Sequence, residues 1–162
     1  FFKQKTAYEI LYFFGSLYGM SRGEVTKRGD ELLQMFGLEE FRDKKVGAFS
    51  GGMKRMVNLM VGILHSPDFL ILDEPTVGID VQSKVLILEY LKILNNGGTT
   101  ILYTSHDMEE AEHLCSRVGI IDGGKLVAEG TPEELINGVV GCSDLQSVYL
   151  SLTGKQLRIK EG

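Results

Sequence analysis

The sequence predicts an α/β fold, a parallel-sheet core with a helical subdomain attached in front of it. Three observations carry this expectation. Thr6 with Glu9 and Ser21 with Glu24 have the spacing of capping boxes, so two helices open in succession near the start of the chain. From Phe69 onward the pattern changes: the short apolar run "FLILDEP", a helical periodicity over Val81 to Leu94 and the β-branched run "TTILYTS" follow one another, the alternation that makes a layered α/β core. With 162 residues, 43% of them hydrophobic and 24% charged, the chain is long enough to bury a core of its own.

The elements are read in order. Helices are expected over 7–19 and 22–36, the second ended by Gly37. The first carries Tyr8, Tyr12, Phe13, Phe14 and Tyr18, an aromatic load expected in the core, with a docking face for a partner as the alternative. In "FSGGMKRM" the hydroxyl of Ser50 and two glycines stand directly before a helix. Its apolar residues Met53, Met56, Val57, Met60, Val61 and Leu64 recur at helical spacing and predict one buried stripe, with Lys54, Arg55 and Asn58 on the other side. "FLILDEP" reads as a buried parallel strand followed by a loop. A helix over Val81 to Leu94, a strand over Thr99 to Ser105 and a short helix in "DMEEAEHLCS" come next. "VGIID" and "KLVAEG" flank a Gly-Gly pair, a hairpin signature. Thr131, Pro132 and Glu134 supply an N-cap, an N1 proline and an N3 acid, and a last helix is expected over Ser143 to Leu152. Three regions follow: a helical subdomain over 1–66, a core over 67–130 and C-terminal helices over 131–162.

Composition excludes several classes of function. The net charge is −5 and no Lys/Arg cluster occurs, so there is no footprint for gripping nucleic acid by its phosphates. Cys115 and Cys142 lack the spacing of a metal site or a disulfide framework, which favours free thiols in a reducing compartment. The longest apolar stretch, Ile10 to Met20, falls short of the roughly 20 residues that span a bilayer, and no secretory signal precedes it. The chain opens on Phe1 rather than a methionine, which suggests a piece of something longer.

Three groups of residues can do chemistry. The first turn of a helix leaves backbone amides without intrahelical partners, and glycines let a bulky anion come close to them, so Ser50, Gly51 and Gly52 form an anion seat. Asp73 and Glu74 stand where a strand stops, the edge at which ligands bind in open α/β sheets. One carboxylate there can hold Mg²⁺ through water while its neighbour polarises an attacking water. The next strand ends in Thr104, Ser105 and His106, and a histidine at that edge can donate a hydrogen bond to a transferring phosphoryl group. His65 and His113 are read as surface residues.

Taken in sequence, "FSGGMKRM", "FLILDEP", "TVGID" and "TSHDMEEAE" resemble the signature motif, Walker B, D-loop and H-loop of ABC-type ATPases, over about Thr6 to Leu157. The resemblance implies an incomplete P-loop NTPase core and an ATP-hydrolysing subunit that couples to an integral membrane transporter subunit at the inner face of the cell membrane. It makes Ser50, Gly51 and Gly52 the contacts to the γ-phosphate of ATP held by a second ATPase subunit in a head-to-tail dimer. Asp73 becomes the Mg²⁺ carboxylate, Glu74 the base, Asp80 the D-loop aspartate and His106 the γ-phosphate histidine. Met53 and Phe49 replace the usual signature glutamine and leading leucine. Met53, with "AEGTPEEL" and "SVYLSLTGKQLR", is similar to ATPase subunits of ABC-2-type exporters.

One part of the family pattern is missing. No G-x-x-x-x-G-K-[ST] occurs; Gly119 to Lys125 is followed by Leu126 and reads as a hairpin, and Gln4 lies too near Thr6 to be the family's Q-loop glutamine. Without that loop the chain is expected neither to hold ATP tightly nor to hydrolyse it alone. The strand that carries it should separate "TTILYTS" from "VGIID", so unpaired backbone edges are expected inside the sheet. Two further readings stand beside the transporter ATPase: a short non-catalytic module that contacts a partner's ATP in trans, and a soluble ABC ATPase without a transporter.

Overall fold

A computed structural model describes residues 2–154. The chain divides into two compact units, Phe1–Tyr103 and Thr104–Gly162.

The first unit opens with helices α1 (Ala7–Leu17) and α2 (Arg22–Met35). Both predicted capping boxes form: Thr6 and Ser21 accept the amides of Glu9 and Glu24, whose carboxylates accept the cap amides in return. Gly37, at φ 63°, follows the end of α2. The turn around Lys45 to Gly47 is sewn to the start of the chain by amides of Val46 and Gly47 donating to the carbonyls of Lys5 and Lys3, both at 2.9 Å. Helix α3 (Gly51–Ile63) packs against α1 and against α4 (Val81–Asn96). Strands β1 (Phe69–Asp73) and β2 (Thr100–Thr104) pair in a small parallel sheet, joined through α4, the crossover that parallel strands require. Leu11, Val25, Leu32, Leu33, Met60, Ile63, Leu64 and Leu91 are almost wholly excluded from solvent.

Three expectations are corrected here. Buried positions of α3 are Gly52, Met56, Val57, Leu59, Met60 and Ile63, so the stripe is rotated: Met53 and Val61 are only half-buried. A helix gripped by α1 on one side and α4 on another buries a wider arc than one apolar row. Strand β1 is buried at Leu70 alone; Phe69 and Ile71, whose side chains alternate to the opposite face, are 56% and 63% exposed. The aromatic residues of α1 do not fill the core, since Tyr12, Phe13 and Tyr18 are exposed and Ala7, Ile10, Leu11 and Gly15 are the buried ones.

In the second unit α5 (Met108–Leu114) precedes the hairpin β3 (Val118–Asp122) and β4 (Lys125–Gly130), which is followed by α6 (Pro132–Gly138) and α7 (Leu145–Thr153). Gly123 and Gly124 take φ 55° and 75°, the backbone of a primed hairpin turn that glycine adopts without a Cβ clash. Gly119 to Lys125 is therefore a β-turn-β segment. Ile120, Leu135, Leu145 and Val148 form the unit's core, with Met108, Ala111 and Ala128 packed around it. Strands β1 and β2 form one two-stranded sheet and β3 and β4 another.

Gly15 marks the closest approach of α1 to its neighbours, because a Cβ there would stand 2.4 Å from Val25 Cγ2 and 3.1 Å from Leu64 Cδ2. Gly15→Ala is expected to cost about 1–3 kcal/mol in urea unfolding in spite of alanine's better helix propensity. Combined with Val25→Ala it should cost less than the two single changes added, by at least about 0.5 kcal/mol. Simple additivity would contradict this packing.

Candidate functional site

Ser50 begins the site as the N-cap of α3, its hydroxyl oxygen accepting the Met53 amide at 3.1 Å. That leaves the amides of Gly51 and Gly52 ahead of the first intrahelical bond, at the positive end of a helix of 13 residues. Gly51 is exposed and Gly52 is buried. A Cβ on Gly52 would lie 3.2 Å from Asp80 Oδ2, 3.4 Å from Ile79 Cγ2 and 3.4 Å from Ser83 Oγ, and one on Gly51 would meet the Gly78 carbonyl at 3.9 Å. A side chain on the second glycine would crowd the approach of the 78–80 segment, a constraint the sequence alone did not reveal.

Asp80 is the N-cap of α4. Its carboxylate accepts the Ser83 amide at 3.0 Å and the Ser83 hydroxyl at 2.7 Å. These two bonds, the amide first, hold the carboxyl below its ordinary value. The stabilisation they supply is therefore complete above the usual carboxylate range and is lost as pH falls through the lowered value. At neutral pH a carboxylate stands beside the tip of α3.

Asp73 closes β1 and is exposed; Glu74 after it is half-buried. Glu74 has φ 49°, the left-handed region that a glutamate seldom visits, and it does so directly before Pro75. Such a conformation costs on the order of 1–3 kcal/mol and is kept only where its surroundings impose it. The Val77 amide reaches back to the Glu74 carbonyl at 3.4 Å and the Ile79 amide to the Thr76 carbonyl at 3.3 Å. Thr76, 7% exposed, shares a hydrogen bond of 3.3 Å with the Tyr103 hydroxyl on β2. The loop from Glu74 to Asp80 is in this way tied to the sheet at one end and to α3 at the other. The structure thus brings Ser50, Gly51, Gly52 and Asp80 together and puts Asp73 and Glu74 at the far end of the same loop. His106 belongs to the second unit, exposed in the segment between β2 and α5.

Among the described residues no group of three or more His, Cys, Asp or Glu side chains gathers around a common point. Asp73 and Glu74 offer one or two carboxylates at a strand end, a donor set that fits hydrated Mg²⁺ completed by substrate phosphates rather than a closed protein cage. No helix among the described residues is long and apolar enough to cross a membrane.

Comparison with known proteins shows what the chain is similar to. The family described as ABC transporter matches residues 1–77. The chain is 50% identical over 141 residues to the linearmycin resistance ATP-binding protein LnrL of Bacillus subtilis, covering 87% of this chain and 45% of that protein. It is 45% identical over 141 residues to the Nod factor export ATP-binding protein I of Cupriavidus metallidurans, covering 87% and 46%. A solved structure described as the ATP binding subunit of an ABC transporter superposes with a TM-score of 0.84 at 30% identity, covering 94% of this chain and 64% of that one. The chain spans under half the length of these curated relatives.

The backbone at Glu74 makes a prediction of its own. Glu74→Gly should be as stable as the parent or up to about 1 kcal/mol more stable, because glycine takes the left-handed conformation freely. Glu74→Val should lose about 1–3 kcal/mol. Thermal melts of the two variants check this, and a valine variant as stable as the glycine one would contradict the strain.

Proposed function

We propose, from the premise that the chain belongs to the family of ABC transporter ATP-binding subunits, that these residues are the part of such a subunit that completes a partner's ATP site and activates the attacking water. The observation that carries the reading is the glycine tip of α3 held against the Gly78–Asp80 segment. Ser50, Gly51 and Gly52 present amides and a hydroxyl to the terminal phosphate of ATP held by a second subunit in a head-to-tail dimer. Glu74 takes the proton of the water that attacks the terminal phosphate of the ATP held by its own subunit, and ADP leaves in line. His106 donates a hydrogen bond to the transferring phosphoryl group, and Asp80 positions the tip of α3. Asp73 is the residue that would hold Mg²⁺, which when bound neutralises charge on the phosphate oxygens.

No Walker A sequence occurs within the 162 residues, so this stretch supplies no lysine-and-amide cradle for ATP. Hydrolysis is accordingly assigned to the intact subunit and not to this stretch alone. The division into a helical subdomain, a core with the catalytic loops and C-terminal helices belongs to the same proposal. Export is the favoured direction of transport, supported by Met53 in the signature and by relatives named for Nod factor export and linearmycin resistance. The exposed face of α1, with Tyr12, Phe13, Leu17 and Tyr18 between 41% and 66% exposed, is the surface proposed to meet an integral membrane subunit at the inner face of the membrane.

In the intact subunit Glu74→Gln should lower turnover by about 10²–10⁴-fold, measured as phosphate release, while ATP-driven dimerisation in sedimentation survives. Hydrolysis at the parental rate would overturn the assignment of the base.

A further inference from the structure

One buried acid is left unused by this mechanism. Glu110, in α5, is 4% exposed, and a carboxylate so placed must be hydrogen-bonded to persist. Ser105 Oγ donates to Glu110 Oε2 at 3.1 Å. The Asp107 amide donates to Ser105 Oγ at 3.0 Å, and the Glu110 amide donates to Asp107 Oδ1 at 3.2 Å. These three bonds close a ring of Ser105, Asp107 and Glu110. The ring has a direction, because a hydroxyl that gives its one proton to the carboxylate keeps its lone pairs for the amide.

His106 lies between two members of this ring and is itself exposed. Its backbone is therefore held on both sides. We propose that Glu110, acting through Ser105, is a positioning residue for His106: the buried carboxylate fixes the serine hydroxyl, the hydroxyl fixes the Asp107 amide, and the segment between them is set in one conformation. The inference rests on the reading of His106 as the phosphoryl-contacting histidine. It adds to that reading the group that preorganises it, since a misplacement of about 1 Å can cost about 100-fold in rate.

The test uses the intact subunit with Glu110→Ala, Glu110→Gln, Ser105→Ala and His106→Ala. Glu110→Ala and Ser105→Ala are each expected to lower kcat for ATP hydrolysis about 10- to 100-fold, with KM for ATP changed less than about 3-fold. Glu110→Gln, which keeps an oxygen acceptor for Ser105, should stay within about 3-fold of the parent. Equal losses in glutamine and alanine variants, or parental kcat in Ser105→Ala, would overturn the proposal. Amide hydrogen exchange gives a readout apart from turnover: the Asp107 amide should lose protection in Ser105→Ala, and unchanged protection would also overturn it. If His106→Ala itself hydrolyses ATP at the parental rate, the role given to His106 fails, while the exchange at Asp107 still decides whether the ring exists.

Discussion

The arrangement depends on one close contact, the approach of the 78–80 segment to the first turn of α3. It is eased because residue 52 has no side chain: Asp80 Oδ2 stands 3.2 Å from where a Cβ would be. Through that contact a helix end that can seat an anion is locked to the cap of α4, and through the Glu74 to Asp80 loop it is connected to the carboxylates at the end of β1. Gly52 therefore admits the neighbouring cap.

Charge follows from the same geometry. The amide and hydroxyl of Ser83 hold Asp80 ionised, so a carboxylate stands on one flank of the tip of α3. As the cap of its own helix, that carboxylate already accepts two hydrogen bonds from Ser83. The left-handed Glu74 and the buried Thr76 belong to the same loop. Strain is tolerated there because the loop is anchored at Thr76 to Tyr103 and at Asp80 to Ser83.

Local grammar made much of this readable. The capping boxes of Thr6 and Ser21, the Ser50 cap, the Asp107 helix start and the Gly-Gly hairpin are short-range devices whose residues dictate their own geometry. What escaped was decided by contacts far apart in sequence. The rotation of the buried arc of α3 is set by α1 and α4, and a row of apolar residues does not say how many neighbours will press on it. Phe69 and Ile71 have the composition of buried strand residues, yet only the face of β1 that carries Leu70 is shielded. The outward face of α1 likewise cannot be told from a core face by aromatic content. The ring around His106 did leave a trace, since Asp107 and Glu110 stand at capping spacing, but burial of the acid and its bond to Ser105 needed coordinates.

The proposed role of the α3 tip requires that it meet a phosphate carried by another subunit. The most direct measurement is a structure of the intact subunit dimer bearing Glu74→Gln and saturated with ATP and Mg²⁺. The Gly51 and Gly52 amides of one protomer are expected at hydrogen-bond distance, about 2.7–3.2 Å, from γ-phosphate oxygens held by its partner. A nucleotide-loaded dimer in which those amides face solvent or their own protomer, far from any terminal phosphate, would contradict it.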